Sequence, residues 1–229
     1  MRHQVVSGEE WLKARLELLA ADKKLTRQRD ALTRRQVAML WERVDKSCQF
    51  EGPNVDLRSP ISSTGAPAHR LSLHIRPIGM FDPDWEEGCR SCSFWADNFN
   101  GIPIHLNHRD VTFTAVSRAL LPKTNAYTKR MVWSFPWVSS YSSDFNFDYH
   151  ASFTPEQIGE GKACCNYEVR LNTLSDEVGV SVFYKNERGG VVYTYSCNSR
   201  GDFLPVSKHF FGFPMKGPPR PPTRIRWSK

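Results

Sequence analysis

Two cysteines three residues apart, Cys89 and Cys92, stand in the stretch 84–101, DWEEGCRSCSFWADNFNG. The run from Cys89 to about Phe99 has the composition of a helix. A C-x-x-C pair opening a helix brings both sulfurs to the end where backbone N–H groups lack intrahelical partners and the helix dipole is positive. Both effects favour a thiolate over a thiol. The chemistry this predicts is dithiol–disulfide exchange. Cys89, nearer the helix start, is assigned as the attacking thiol, and Cys92 as the thiol that resolves the mixed disulfide.

The charges around the pair pull in opposite directions. Arg90, inside the motif, favours a thiolate, while Asp84, Glu86 and Glu87 place like charge beside it. The balance predicts a modest effect and a reducing couple, nearer about −270 mV than about −120 mV. Trp85 and Trp95 flank the motif, either as an apolar wall over the sulfurs or as core aromatics. Ser93 is assigned a supporting role, donating to a sulfur or solvating the first helical turn. Asp97 lies too far along the helix to serve the sulfurs and is assigned to a surface cap or salt bridge.

The other cysteines carry less. Cys164 and Cys165 are adjacent, and a disulfide between neighbours is strained, so two separate thiols are expected. Cys48 and Cys197 read as small buried or incidental thiols. A zinc site drawn from Cys89, Cys92 and two of Cys164, Cys165, His105 and His108 has the right donor types. It lacks a second C-x-x-C, and His105 and His108 read more simply as loop or helix-surface residues. No bound cofactor is expected beyond a redox-active disulfide, and no metal.

The 229 residues suit one domain with extensions. A hydrophobic content of 40 % supports a packed core, yet no apolar run is long enough to span a bilayer. The N-terminus turns acidic and polar too soon for a secretory signal, which predicts a cytoplasmic protein with most thiols reduced. The net charge of +7 is concentrated in residues 23–35 and in the tail after Pro205. No nucleic-acid recognition motif accompanies it, so nucleic acid is not an expected partner.

Several elements must position the pair. Ser7 and Glu10 form a capping-box signature opening residues 7–44, which read as a long helix or a broken pair. Trp11, Leu18, Leu25, Leu32 and Met39 recur every seven residues. Polar Gln28 and Arg35 in the companion seam argue for an amphipathic arm lying on the domain or on a second copy of the chain, rather than a long coiled coil. Residues 51–69 read as a loop and RLSLHI (70–75) as a short strand. VTFTAVSRA (111–119) reads as a strand after the motif helix, 120–133 as a further helix, and 135–149 as an aromatic loop. GVSVFYKNERGGVVYTYS (179–196) reads as a hairpin. Six prolines after Leu204 exclude long helices. The predicted divisions are an N-terminal helical arm (1–46), a central domain (47–200) and a Pro-rich basic, poorly ordered tail (201–229).

The chain resembles the thioredoxin-like proteins catalogued as domain of unknown function 899, often labelled dithiol–disulfide isomerases. The resemblance is carried by EEWL, LTRQRD, EGP at 51–53, DPDWEEGC-x-x-CSFWADNF, VTFTAVSRA, FPWVSSYSSDFNFD, SFTPEQ and GVSVFY. It implies an α/β thioredoxin-like (peroxiredoxin-like) fold with a central sheet and flanking helices. It implies no settled function. Two segments depart from the family. Residues 58–79 lack its apolar strand, and the resemblance stops at Cys197, where a final strand and helix belong. Such abrupt changes suit an altered reading frame, and losing either element would leave a sheet edge unpaired.

The leading reading is thus a thioredoxin-like thiol–disulfide oxidoreductase acting on a thiol or disulfide substrate, a protein among the candidates. The alternatives are a redox-inactive thioredoxin-like module that binds partners through its arm or tail, and a Cys/His zinc-binding protein. No membrane partner is expected, and a second copy of the chain is a candidate partner for the arm.

Overall fold

The structure is a computed structural model that describes residues 3–46, 48–52, 81–169, 171, 174–186 and 190–197, with residues 70–76 described by backbone alone. It divides into two units, one holding the N-terminal helix and the other running from Leu40 onward.

The first unit is the helix α1, Gly8–Val37. It begins where the sequence predicts. The Ser7 hydroxyl accepts from the Glu10 N–H, and the Glu10 carboxylate accepts from the Ser7 N–H. This capping box satisfies two N–H groups that a helix start otherwise leaves unpaired. The helix ends at Val37, short of the expected residue 44. Residues Glu42–Val44 instead form a strand, β1.

The second unit is built on a six-stranded sheet. Its members are β1, β2 (Arg70–Arg76), β3 (Val111–Ser117), β4 (Trp137–Ser139), β7 (Gly179–Lys185) and β8 (Val191–Cys197). The order is β1-β8-β7-β2-β3-β4. β2, β3 and β4 are parallel, and β7 and β8 are an antiparallel hairpin joined to β2. Between β4 and β7 a two-stranded ribbon pairs β5 (Cys164–Cys165) with β6 (Glu168–Val169). The short strand expected over 70–75 is present, and it fills the central place that the departure of residues 58–79 from the family put in question. The backbone of Arg70–Arg76 pairs along its length with β7 and over five residues with β3. Both outer strands, β1 and β4, are only three residues long, which limits the edge offered for pairing. Residues 198–229, on which the expected tail falls, lie outside the described residues. The arrangement is α/β, a central six-stranded mixed sheet with helices in its crossovers.

The helices follow from the connections. Residues between β2 and β3 form α2 (Arg90–Ala96), a 3-10 turn (Asp97–Phe99) and α3 (Ile102–Asn107). α4 (Leu121–Met131) connects β3 to β4. Both crossovers step the same way across the parallel strands. Right-handed connections therefore put α2 and α4 on one face of the sheet. Aromatic side chains fill that layer. Phe99, fully buried, meets Trp95, Phe113 and Phe135 edge to face, with ring centroids 4.8, 5.4 and 5.8 Å away.

Residues 135–149 are more ordered than the expected loop. β4 pairs with β3, and Phe145–Asp148 form a short helix, α5. On the opposite face of the sheet from Phe113, since side chains alternate along β3, Phe145 packs with Phe50, Val116, Val138, Phe183 and Val191. A last short helix, α6 (Pro155–Gly159), is opened by a second capping box, Thr154 with Gln157.

Candidate dithiol site

Cys89 is the N-cap of α2, and Cys92 is the third residue of that helix. An N-cap side chain ordinarily accepts from the N–H two or three residues on. Cys89 makes no side-chain capping bond. The two cysteines are both partly buried. They lie past the carboxyl end of β2, at the end of the parallel strands where open α/β sheets bind ligands.

One face of α4 holds the segment that carries the pair. Lys123, Tyr127 and Arg130 are spaced at i, i+4 and i+7, so they line up along the helix. The Lys123 ammonium donates to the carbonyls of Pro83 and Trp85, at 3.1 and 3.0 Å, and reaches the Glu86 carboxylate at 3.5 Å. Arg130 reaches the Glu87 carboxylate at 3.3 Å, and this pairing, followed by the Tyr127 hydroxyl, raises its pKa. Of the three carboxylates expected to oppose a thiolate, Glu86 and Glu87 thus share their charge with a cation. These pairs are solvent-exposed and add little stability.

Tyr127 makes the central link. Its hydroxyl lies 2.7 Å from the Ser93 hydroxyl, which donates to the Cys89 carbonyl at 2.8 Å. Ser93 has one proton, so Tyr127 is the donor to Ser93. The Tyr127 ring is wedged against Phe81, Trp133 and Trp137. At the other end of the loop Asp82 accepts from the Ser175 hydroxyl at 2.8 Å. The Asp84 and Trp85 N–H groups bond back to Asp82, closing a turn.

The sequence-predicted residues are placed unevenly. Ser93 is buried and bonds a backbone carbonyl and Tyr127, rather than a sulfur. Trp85 is 41 % exposed, so it is no core aromatic; its carbonyl, held by Lys123, is what anchors it. Trp95 packs edge to face on Phe99. Arg90 is exposed in the first turn of α2. Asp97 is exposed at the C-cap of α2, as a surface position was expected, and its carboxylate accepts from the Trp133 indole N–H at 2.8 Å. His105 and His108 are exposed. Among the described residues no group of three or more Cys, His, Asp or Glu could hold a metal ion.

A second polar cluster went unread in the sequence. Asp176, 5 % exposed, accepts a short hydrogen bond from Ser152 and lies 3.6 Å from Arg118. Arg118 follows β3 and stacks over Phe147. Burial pushes the Asp176 carboxyl up, against the pull of Ser152 and Arg118. Ser175, which donates to Asp82, and the repulsion between Asp82 and Asp176 link this cluster to the loop before Cys89, a relation no motif spells out.

Comparison with known proteins adds a family. The family described as a bacterial protein of unknown function, DUF899, matches residues 1–209. This corrects the expectation that the resemblance stops at Cys197. No curated protein matches the chain. Among solved structures, peroxiredoxin Q of Xanthomonas campestris is 13 % identical, with 66 % of this chain and 78 % of that one covered and a TM-score of 0.43. A peroxiredoxin-like protein from Aquifex aeolicus is 15 % identical over 68 % and 77 %, with a TM-score of 0.34. AhpC of Mycobacterium tuberculosis is 12 % identical over 72 % and 82 %, with a TM-score of 0.35. Likeness this loose transfers no residue role. No described helix is long and apolar enough to cross a membrane.

Proposed function

The chain belongs to the bacterial DUF899 family of unknown function, and from that premise and the cysteine geometry we propose that it is a thiol–disulfide oxidoreductase. The observation that carries the reading is the placement of Cys89 and Cys92 at the N-cap and third position of one helix, both partly accessible. A Cys89 thiolate attacks one sulfur of a client disulfide. A new S–S bond forms, the client bond breaks, and its second sulfur leaves as a thiolate that takes up a proton. Cys92 loses its proton and attacks the Cys89 sulfur. The mixed disulfide breaks, the client leaves as a dithiol, and the protein holds a Cys89–Cys92 disulfide. Two electrons have passed to the client.

The surroundings support this reading. Lys123 and Arg130 offset the carboxylates of Glu86 and Glu87, and Tyr127 through Ser93 holds the Cys89 backbone. Trp85, exposed four residues before Cys89, offers a client an apolar surface. The site's couple is expected near the reducing end of the range, about −270 mV.

The test is trapping. With a disulfide-bonded peptide, Cys92→Ser accumulates a covalent adduct, because the resolving thiol is gone. Cys89→Ser forms none. If both variants reduce the peptide as the parent does, the proposal is wrong.

A further inference from the structure

The sequence repeat of α1 meets a structural fact: the helix runs thirty residues and none of them is buried. Its seven-residue stripe is open to solvent, with Trp11 60 %, Leu18 58 %, Leu25 46 % and Leu32 46 % exposed. The companion seam is small or polar and also exposed: Ala14, Ala21, Gln28 and Arg35. A helix about 45 Å long with an uncovered apolar stripe gains little stability alone.

Charge says what fits the stripe. Flanking it on one side are Glu10, Glu17 and Lys24, and on the other Arg15, Asp22 and Arg29. Within the helix Arg15 already reaches Asp22 at 3.3 Å, one turn-pair along the same flank. Four of the five acidic residues, Glu9, Glu10, Glu17 and Asp22, lie in the N-terminal half, and the four arginines of residues 27–35 lie toward the C-terminus. A parallel pair of such helices would set Glu17 beside the partner's Asp22, Lys24 beside the partner's Arg29, and the arginine-rich ends side by side. An antiparallel pair reverses each of these and opposes the two helix dipoles.

We propose that α1 docks on α1 of a second copy of this chain, antiparallel, with Glu17 beside the partner's Lys24. In that register Arg15 stands beside the partner's Asp22. Leu18 faces the partner's Ala21, and Leu25 faces the partner's Ala14, so large residues meet small ones along the seam. Trp11 meets the partner's Gln28. The pairing is two-fold symmetric, so each favourable contact occurs twice. The interface is independent of the cysteine chemistry.

Sedimentation equilibrium on the full chain, in reductant so that no intermolecular disulfide contributes, tests this. The parent is expected to be dimeric, and Leu18→Glu monomeric with unchanged helical circular dichroism. Glu17→Lys and Lys24→Glu, both on exposed side chains, should each weaken the dimer at least tenfold. Combining them should bring its dissociation constant back to within about threefold of the parent, because the pair is then swapped rather than broken. A monomeric parent, a dimer indifferent to Leu18→Glu, or a double variant no tighter than the singles would overturn the proposal.

Discussion

The Tyr127 hydroxyl lies 2.7 Å from the Ser93 hydroxyl, a link between α4 and α2 across thirty-four residues of sequence. Ser93 passes it on to the Cys89 carbonyl. Tyr127→Phe keeps the ring and removes the bond. It should cost about 1 kcal/mol, read as a lower midpoint in urea with an unchanged m-value. Turnover at the dithiol should fall with it. A variant of parental stability would show that the link does not hold the motif.

Phe99 is the deeper anchor. It is fully buried and meets three aromatic rings just after α2. Phe99→Ala leaves a cavity between helix and sheet and should cost about 3–5 kcal/mol. A loss under 1 kcal/mol by denaturant titration would mean that the layer closes over the gap.

Asp176 gives a pH dependence. Its folded pKa is raised by burial, then lowered in part by Ser152 and Arg118 and raised again by Asp82. The folded state therefore favours the protonated form. Its contribution is fully present below the unfolded pKa, near 3.8, and is lost as pH rises through the folded pKa. Asp176→Asn cannot ionise and escapes that loss. Its stability relative to the parent should climb as pH rises from about 4 toward neutrality. Parallel stability curves across that range would contradict the assignment.

Cys48 should behave as a background thiol. Burial raises its pKa above 9.0, and Asp148 adds to the rise against a smaller opposing effect of Lys46. Its thiolate is scarce at neutral pH, so iodoacetamide should modify it slowly at pH 7 and faster only as pH passes 9. Rapid labelling at pH 7, mapped by mass spectrometry, would contradict this.

How much of this was legible follows from where each signal sits. The α1 start, the motif helix, β3, α4 and the β7–β8 hairpin carry local patterns: caps, periodicity, turn residues. β4 does not. Its three residues have no strand pattern of their own and are held by pairing with β3 and by the Glu51–Ser139 bridge. β2 was legible as a short strand from its weak alternation, but its central place was not, because pairing on both sides sets it. At the candidate site the cysteines were visible because their spacing is the signal. Tyr127 and Lys123 were not, because their partners lie 34 and 37–40 residues away. The i, i+4, i+7 spacing of Lys123, Tyr127 and Arg130 was the one local clue. The Asp97–Trp133 bond was hidden for the same reason of distance.

A redox titration of the purified chain in thiol–disulfide buffers, quantifying by mass spectrometry the peptide holding Cys89 and Cys92, puts the central claim to its hardest test. A single reversible two-electron transition, its midpoint near about −270 mV and absent from Cys92→Ser, is the predicted result. A pair that stays in one state across the whole range of buffers, or that oxidises only irreversibly, would contradict the account.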